Sequence, residues 1–180
     1  HIRLIISRGL KKTPYQHPDA NVGGSTVVII PEYKEADENV NERGIRLVTV
    51  NTRRGTPHDQ DPRLNTLSKM NCILACIEAD KAGADEGIMM DINGNVSTCN
   101  STNFFIVRNG EVWTSTGQYC LPGVTRKTVI ALCGENEIPV FEKDFTIDEV
   151  HFADETFVTG TFAGIIPAVE IDRQAISGGV

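Results

Sequence analysis

The sequence contains no apolar stretch of the roughly 18 residues that a membrane-spanning helix needs. It also lacks an excess of positive charge, since 17 Lys and Arg stand against 24 Asp and Glu for a net charge of −7. A negative surface argues against nucleic acid or an anionic membrane as the main partner. With 180 residues, 40% of them hydrophobic, the chain can bury one sizeable core, so we expect one domain or slightly more.

Several signatures of catalysis and cross-linking are missing as well. There is no glycine-rich loop for a dinucleotide or a triphosphate. The four histidines are scattered and no pair has the spacing of metal ligands, so we expect no metal. The five cysteines are odd in number and do not form a disulfide framework, which indicates free thiols in a reducing compartment and hence a cytoplasmic protein.

The hydrophobic pattern predicts a mixed α and β chain with many short strands and few helices. The clearest helix covers residues 64–81, with Gly83 as its end. A second helix is predicted to open at Thr125, and Thr146 with Glu149 has the spacing of a capping box. Short β-branched runs predict strands at 2–7, 26–30, 45–50, 88–92, 104–107, 112–114, 156–158 and 165–171. This pattern excludes a doubly wound parallel sheet.

The connections between these elements also carry local signals. The dipeptides Asn93-Gly94 and Asn109-Gly110 favour type I′ hairpin turns, in which both central residues have positive φ. The charged segment 32–43 is predicted to be a solvated connection.

Two small, hydroxyl-rich turns are candidates for binding a phosphate group. Residues 122–126 place a glycine and a threonine at the start of a predicted helix, where free backbone N–H groups and the helix dipole favour an anion. Residues 159–164 form a second such turn after a strand. Each turn alone is more often structural than functional, but two that converge predict one phosphate site.

The chain resembles the class IV (fold type IV) aminotransferases that use pyridoxal phosphate, and is similar to the D-amino-acid and branched-chain enzymes. The order and the spacing of the shared motifs agree over essentially the whole chain. These motifs are Ser7-Arg8-Gly9, Asp61-Pro62-Arg63-Leu64, Ile73-Leu74-Ala75 with Glu78-Ala79, Gly83-Ala84-Asp85-Glu86, Asn103-Phe104-Phe105, Leu121-Pro122-Gly123-Val124-Thr125-Arg126, Ala153-Asp154-Glu155 through Thr159-Gly160-Thr161, Pro167 and Glu170-Ile171-Asp172.

The resemblance implies that residues 1–180 are the large, cofactor-binding domain, with short strands in a barrel-like sheet and the first strands, near 1–30, at the interdomain side. It also implies that the family's small N-terminal domain and short C-terminal tail are absent here. The cofactor is expected to be pyridoxal 5′-phosphate, and the partners an amino acid, a keto acid and a second copy of the chain in a homodimer.

By the same resemblance, Val124, Thr125 and Thr161 bind the cofactor phosphate and Leu121 packs on one face of the ring. The turn at Thr161 and Phe162 receives the substrate carboxylate. Arg8 stands where the D-amino-acid enzymes keep a carboxylate-binding arginine, although a structural ion pair would explain it equally well.

The residue that the family uses for its Schiff base is different in this chain. A gapless comparison puts Asn65 at the position of the family's lysine, and the nearest lysine is Lys69, four residues later. On a helix that begins early, these two residues would share a face about 6 Å apart along the axis, a distance that a lysine side chain spans. We therefore expect Lys69 to be the catalytic residue, against the alternative of an ordinary solvated lysine.

Thr98 marks the second difference, because the family has a glutamate there. A carboxylate beside the pyridine nitrogen raises the pKa of that nitrogen, whereas a hydroxyl does not do so by charge. The expectation from sequence is that Thr98 faces a neutral pyridine and that carbanions are stabilised less well.

Three functions remain open at this point. The first is transamination with Lys69 as general acid and base. The second is a lyase similar to aminodeoxychorismate lyase, which needs no keto acid as amino acceptor. The third is a non-catalytic homologue that binds the cofactor without a Schiff base, an interpretation that Asn65 and Thr98 favour.

Overall fold

A computed structural model describes residues 1–35, 37, 39–162 and 164–176. The chain divides into two compact units, His1–Ala36 and Asp37–Val180. The assignment of residues 1–180 to one cofactor-binding domain, with an N-terminal domain and a C-terminal tail missing, stays a prediction. The terminal Gly-Gly-Val lies outside the described residues.

The first unit consists of two small antiparallel ribbons. Strands β1 (Ile2–Ser7) and β4 (Thr26–Pro31) pair along their whole length, which confirms both predicted strands. Between them, β2 (Leu10–Lys11) pairs with β3 (Asn21–Val22), and a 3-10 turn covers Pro18–Ala20.

The second unit is built on one strongly curled half-barrel sheet. Its strands are β5 (Ile45–Thr49), β6 (Glu86–Met90), β7 (Val96–Cys99), β8 (Asn103–Arg108), β9 (Glu111–Thr114), β10 (Val140–Glu142), β11 (Glu155–Gly160), β12 (Gly164–Ile171) and β13 (Gln174–Ala175). Their order is β10-β9-β8-β11-β12-β5-β6-β7, with β13 on β12. The pairs β9/β10, β5/β12 and β5/β6 are parallel and the other pairs are antiparallel. The predicted mixed α and β fold with a barrel-like sheet is confirmed.

Four α-helices accompany the sheet in the described part of the chain: α1 (Val40–Arg43), α2 (Met70–Ala82), α3 (Val124–Glu135) and α4 (Ile147–His151). Helix α3 begins one residue before the predicted start. Helix α4 has the predicted capping box, in which Thr146 and Glu149 each accept a hydrogen bond from the other's backbone N–H. The segment 32–43 was predicted to be a solvated connection, but its last four residues form the short helix α1. The prediction was therefore wrong for Val40–Arg43.

Helix α2 ends as predicted but starts later. Gly83 is its C-cap in the left-handed region, at φ 77°. The helix begins at Met70 rather than at Leu64, because the preceding polar residues bond locally instead of continuing a helix. The Thr66 hydroxyl, for example, donates to the carbonyl of Ser68.

The two hairpin turns differ from each other. Asn109 and Gly110 both have positive φ, as predicted for type I′. At Asn93-Gly94 only the glycine does, so the predicted type I′ turn was wrong. The reason is the Asp91 carboxylate, which accepts hydrogen bonds from the N–H groups of Asn93 and Asn95 and shapes the turn differently.

The core of the second unit fills the inside of the curled sheet. Its largest fully buried side chains come from neighbouring strands and from the segment before α4; they include Leu47, Ile88, Phe104, Ile106, Phe145 and Val158. Each such side chain contributes about 1.5–3 kcal/mol on leaving water.

Glu78 of α2 anchors the loop that follows β5, and it makes stability depend on pH. Its carboxylate accepts hydrogen bonds from the N–H groups of Asn51 (2.7 Å) and Thr52 (3.2 Å) and from the Thr52 hydroxyl. The Thr52 hydroxyl is the main reason that the pKa of Glu78 is lowered from 4.5. The stabilisation is therefore present above the unfolded-state pKa and is lost as pH falls through the lower folded-state pKa.

We expect Glu78→Gln to lower the free energy of unfolding by about 1 kcal/mol at pH 7. The difference from wild type should shrink as the pH is lowered past about 4, because the wild-type carboxylate is then protonated too. Urea unfolding at several pH values measures this. A difference that stays constant down to about pH 3 would contradict the explanation.

Candidate active site

A small cavity of about 60 Å³ lies at the start of α2. Lys69 is the N-cap of this helix, and its Nζ donates a hydrogen bond of 2.7 Å to Oδ1 of Asn65. The two residues are in a loop, so the helical face expected from sequence is not what brings them together. The cavity is lined by Arg54, Gln60, Asp61, Pro62, Leu64, Asn65, Thr66, Ser68, Lys69, Asn71, Cys72 and Leu121.

Arg54 is a buried cation in the wall of this cavity, only 8% exposed. Its guanidinium donates to the carbonyls of Tyr119 (3.0 Å) and Pro62 (3.4 Å) and to Sγ of Cys72 (2.8 Å). Among the described residues no carboxylate forms an ion pair with it, although buried charges are usually paired. Sequence reasoning missed Arg54, and its one signal was the pair Arg53-Arg54 shortly after a predicted strand.

Asn103, the first residue of β8, holds the loop that leads into α3. Its Nδ2 donates to the carbonyl of Leu121 at 3.0 Å. Its Oδ1 faces Gly123 so closely that a Cβ there would lie 2.3 Å away. Only glycine fits this contact. The loop therefore places Leu121, which is 37% exposed, both beside Asn103 and in the wall of the Lys69 cavity.

The start of α3 is the first of the two turns predicted to bind a phosphate group. The first N–H groups of a helix have no acceptor within the helix, and the N-cap Gly123 provides no side-chain acceptor. Val124 is exposed and Thr125 is half-buried at this end. The helix start is thus suited to an anion.

The second turn follows β11, the strand that pairs with β8. In the pairing of β8 with β11, Thr159 is opposite Asn103. The turn that follows β11 therefore begins close to Asn103, the residue that binds the loop before α3. Thr161 and Phe162 in this turn are exposed. Ala163 of the same turn lies outside the described residues.

Thr98 is buried on β7 and contacts the turn that joins β7 to β8. Its hydroxyl donates to the carbonyl of Thr102 at 2.7 Å. Glu86, the first residue of β6, contacts the same turn, because its carboxylate accepts hydrogen bonds from the hydroxyls of Ser101 and Thr102. Burial raises the pKa of Glu86, and these hydroxyls oppose the effect. Glu86 was visible in the sequence only as part of a family motif.

Arg8 belongs to the first unit. There its guanidinium donates to the carbonyl of Gln16 at 2.8 Å, and no ion pair of Arg8 is found among the described residues. Its role toward a substrate carboxylate stays a prediction.

Other kinds of site find no support in the described structure. Residues 1–35, 37, 39–162 and 164–176 contain no group of three or more His, Cys, Asp or Glu side chains able to hold a metal ion. No helix in these ranges is long and apolar enough to cross a membrane.

Comparison with known proteins identifies the family. The family model described as amino-transferase class IV matches residues 1–171, and the chain belongs to this family.

Individual relatives carry more specific names. The chain is 40% identical over 179 residues to branched-chain-amino-acid aminotransferase-like protein 2 of Arabidopsis thaliana, covering 99% of this chain and 32% of the relative. It is 35% identical to a putative branched-chain-amino-acid aminotransferase of Methanocaldococcus jannaschii, covering 98% of this chain and 60% of the relative. The chain thus spans about a third to three fifths of the length of these relatives.

A solved structure shows the same fold with a cofactor derivative bound. The branched-chain amino acid aminotransferase of T.th., complexed with N-(5′-phosphopyridoxyl)-L-glutamate, superposes with a TM-score of 0.86 at 29% identity. The match covers 99% of this chain and 58% of that one.

Proposed function

We propose that the protein is a pyridoxal 5′-phosphate-dependent aminotransferase, in which Lys69 takes the place of the family's lysine. It would move the amino group of an amino acid or a small amine to a keto acid. The names of the relatives favour branched-chain amino acids as substrates.

The contact between Lys69 and Asn65 carries this proposal. The Nζ atom of Lys69 lies 2.7 Å from the side chain of Asn65, the residue aligned with the family's lysine. An amine four residues later in sequence therefore reaches the aligned position, and the cavity around it contains Leu121, the residue proposed to pack against the cofactor ring.

The phosphate of the cofactor would bind at the two small, hydroxyl-rich turns. The N–H groups at the start of α3, with the Thr125 hydroxyl, would bind the phosphate oxygens, and Thr161 would approach from the other turn. Residues Val124, Thr125 and Thr161 are exposed or half-buried, so a ligand can reach them. A glycine at position 123 keeps the helix start open.

On the substrate side, we propose that the turn at Thr161 and Phe162 receives the carboxylate. The cofactor, when bound, supplies the electron sink for the substrate carbanion. Lys69 would hold the cofactor through its amine, and its Nζ would act as the general base and acid that moves the proton at the substrate Cα.

Trapping the covalent link tests the proposal directly. The protein is incubated with pyridoxal 5′-phosphate, reduced with borohydride and mapped by mass spectrometry. We expect one pyridoxyl group per chain, on Lys69. Binding without any labelled lysine would contradict the proposal and favour the non-catalytic homologue. Labelling at Lys69 with turnover that needs no keto acid would favour the lyase.

We further propose a cytoplasmic homodimer that uses an apolar stripe on α2. Met70, Ile73, Leu74 and Ile77 are 67%, 54%, 45% and 44% exposed, and their spacing places them on one helix face. Such a contiguous apolar surface usually marks an interaction site. Reduced cysteines agree with the cytoplasm, since all five are free.

The double change Ile73→Glu and Ile77→Glu should convert the dimer to a monomer, because burying two carboxylates in the interface is unfavourable. Light scattering after size exclusion measures the mass. Lys81→Glu, at the end of the same helix, is the control and should leave the dimer intact. A wild-type monomer at micromolar concentration would argue against the homodimer.

A further inference from the structure

We propose that Arg54 is a positioning residue for Lys69, because its buried guanidinium joins the Lys69 segment to the sheet. The Lys69 segment is the loop of residues 61–69, which ends at the N-cap of α2. This inference rests on the proposed function of Lys69. It adds a residue that acts through the lysine and has no need to touch the cofactor.

The backbone of Arg54 is fixed on the sheet. Its N–H donates a hydrogen bond of 2.9 Å to the carbonyl of Met90, the last residue of β6. Both residues are buried, and a hydrogen bond is stronger in such surroundings than in water. The side chain of Arg54 therefore starts from a fixed point.

From this point the guanidinium reaches three separate segments. Nη2 donates to the carbonyl of Pro62 at 3.4 Å, Nη1 to Sγ of Cys72 at 2.8 Å and Nε to the carbonyl of Tyr119 at 3.0 Å. Pro62 belongs to the Lys69 segment, Cys72 to the first turn of α2 and Tyr119 to the loop before α3. A planar guanidinium holds several acceptors in fixed directions at once, which the single ammonium of a lysine cannot do.

The loop before α3 has further support. The carbonyl of Tyr119 accepts a second hydrogen bond, from the Ser97 hydroxyl at 3.1 Å. Two residues later, the carbonyl of Leu121 accepts one from Asn103 at 3.0 Å. This loop should therefore keep its place without Arg54, and so should the candidate phosphate turn at the start of α3.

The Lys69 segment has no comparable support. Among the described residues, no other hydrogen bond reaches the carbonyl of Pro62 or Sγ of Cys72. The remaining hydrogen bonds of the segment are local, such as the one from Nζ of Lys69 to Asn65, so they shape the loop without joining it to the sheet. Loss of Arg54 should therefore displace the lysine selectively.

The place of the amine matters because covalent capture of an aldehyde requires contact between the two reacting atoms. Reacting atoms need to approach to about 3–3.5 Å, and a misplacement of about 1 Å can cost on the order of 10²-fold in rate. Binding of the cofactor phosphate depends instead on the two turns. Arg54 should thus affect capture by Lys69 more than affinity for the cofactor.

The test separates affinity from covalent capture. Affinity is measured with 4-deoxypyridoxine 5′-phosphate, which has the ring and the phosphate but no aldehyde. Capture is measured as the rate at which pyridoxal 5′-phosphate labels Lys69 when borohydride is added at successive times. Arg54→Met should lower this rate by at least about tenfold, while affinity for the analogue stays close to that of wild type. Arg53→Met, at an exposed neighbour, is the control and should change neither.

Hydrogen exchange of the unliganded protein gives a readout that needs no cofactor. The amides of Leu64 and Thr66, which form hydrogen bonds within the Lys69 segment, should exchange about tenfold faster in Arg54→Met, since a hydrogen bond to a charged group is worth at least that factor. Amides of residues 120–126 should exchange at the wild-type rate. Unchanged exchange in the Lys69 segment, or equal acceleration in both segments, would overturn the inference.

A milder change covers the case in which circular dichroism shows that Arg54→Met is not folded. Cys72→Ala removes only the acceptor on α2 and should slow the labelling of Lys69 about threefold, as the loss of one modest hydrogen bond does. Cys72→Ser keeps an acceptor and should label at nearly the wild-type rate. Equal rates in wild type and Cys72→Ala would overturn the inference.

The outcomes distinguish this inference from the proposed function. If no lysine is labelled in wild type, the proposed function fails, and hydrogen exchange still decides whether Arg54 fixes the Lys69 segment. If Arg54→Met is labelled as fast as wild type, the inference fails and the proposed function stands. A parallel loss of analogue affinity and labelling also overturns the inference, because Arg54 would then support the whole site and not Lys69 in particular.

Discussion

Replacement of Lys69 by alanine should abolish both the covalent link to the cofactor and turnover. Lys69 is the lysine that lines the cavity, and its amine is proposed both to hold the cofactor and to move the proton between Cα and C4′. Loss of a general acid and base costs on the order of 10²–10⁴-fold in rate, and loss of the covalent role adds to this. Borohydride labelling and a transamination assay with a keto acid measure the two roles separately.

The chain offers matched controls for this experiment. Lys81→Ala, on the same helix but outside the cavity, should change neither labelling nor rate. The exchange of Asn65→Lys with Lys69→Asn returns the amine to the aligned position and should restore labelling, now at residue 65. A Lys69→Ala variant that keeps wild-type labelling and turnover would refute the proposed role of Lys69.

Replacement of Gly123 by alanine should damage the proposed cofactor site. The added Cβ would lie 2.3 Å from Oδ1 of Asn103, a distance at which one of the two must move. Asn103 is itself fixed by its hydrogen bond to Leu121, so the loop before α3 has to shift. We expect a loss of about 1–3 kcal/mol in unfolding free energy and a cofactor affinity lower by at least about tenfold, because a hydrogen bond to a charged group is worth roughly 1.5–3 kcal/mol.

Gly134→Ala is the matched control, because it lies in the same helix α3 with no atom within 4 Å of the added Cβ. It should be neutral or stabilise the fold by up to about 1 kcal/mol. Adding Asn103→Ala to Gly123→Ala removes the clash, so the double variant should be more stable than the sum of the two single changes implies. Strict additivity would show that the clash with Asn103 is not the cause.

The Asn65 and Lys69 pair shows how far sequence reasoning reached at this site. Sequence identified both residues and expected a helix to bring them together. The segment is a loop instead, because Asn65, Thr66 and Ser68 favour local hydrogen bonds over helix continuation. The conformation of this loop, and not a shared helix face, brings Nζ of Lys69 to Asn65.

Arg54 and Glu86 show where sequence reasoning stopped. Neither has a local pattern that distinguishes it from a surface charge. Arg54 is buried and Glu86 is half-buried, and neither has an ion-pair partner among the described residues. Burial depends on which segments pack around a side chain. The same applies to Asn103, whose contact with Gly123 joins residues 20 positions apart.

The sequence by itself indicated the family motifs, most strands, the C-terminal end of α2, the capping box of α4 and two candidate phosphate turns, because these depend on neighbours within a few residues. Only the tertiary structure decided that the strand before the second turn lies beside Asn103, which holds the loop before the first, through the pairing of Asn103 with Thr159. It also decided that the proton of Thr98 is directed at Thr102. Strand register and hydrogen-bond direction arise from segments distant in sequence, and local patterns carry no information about them.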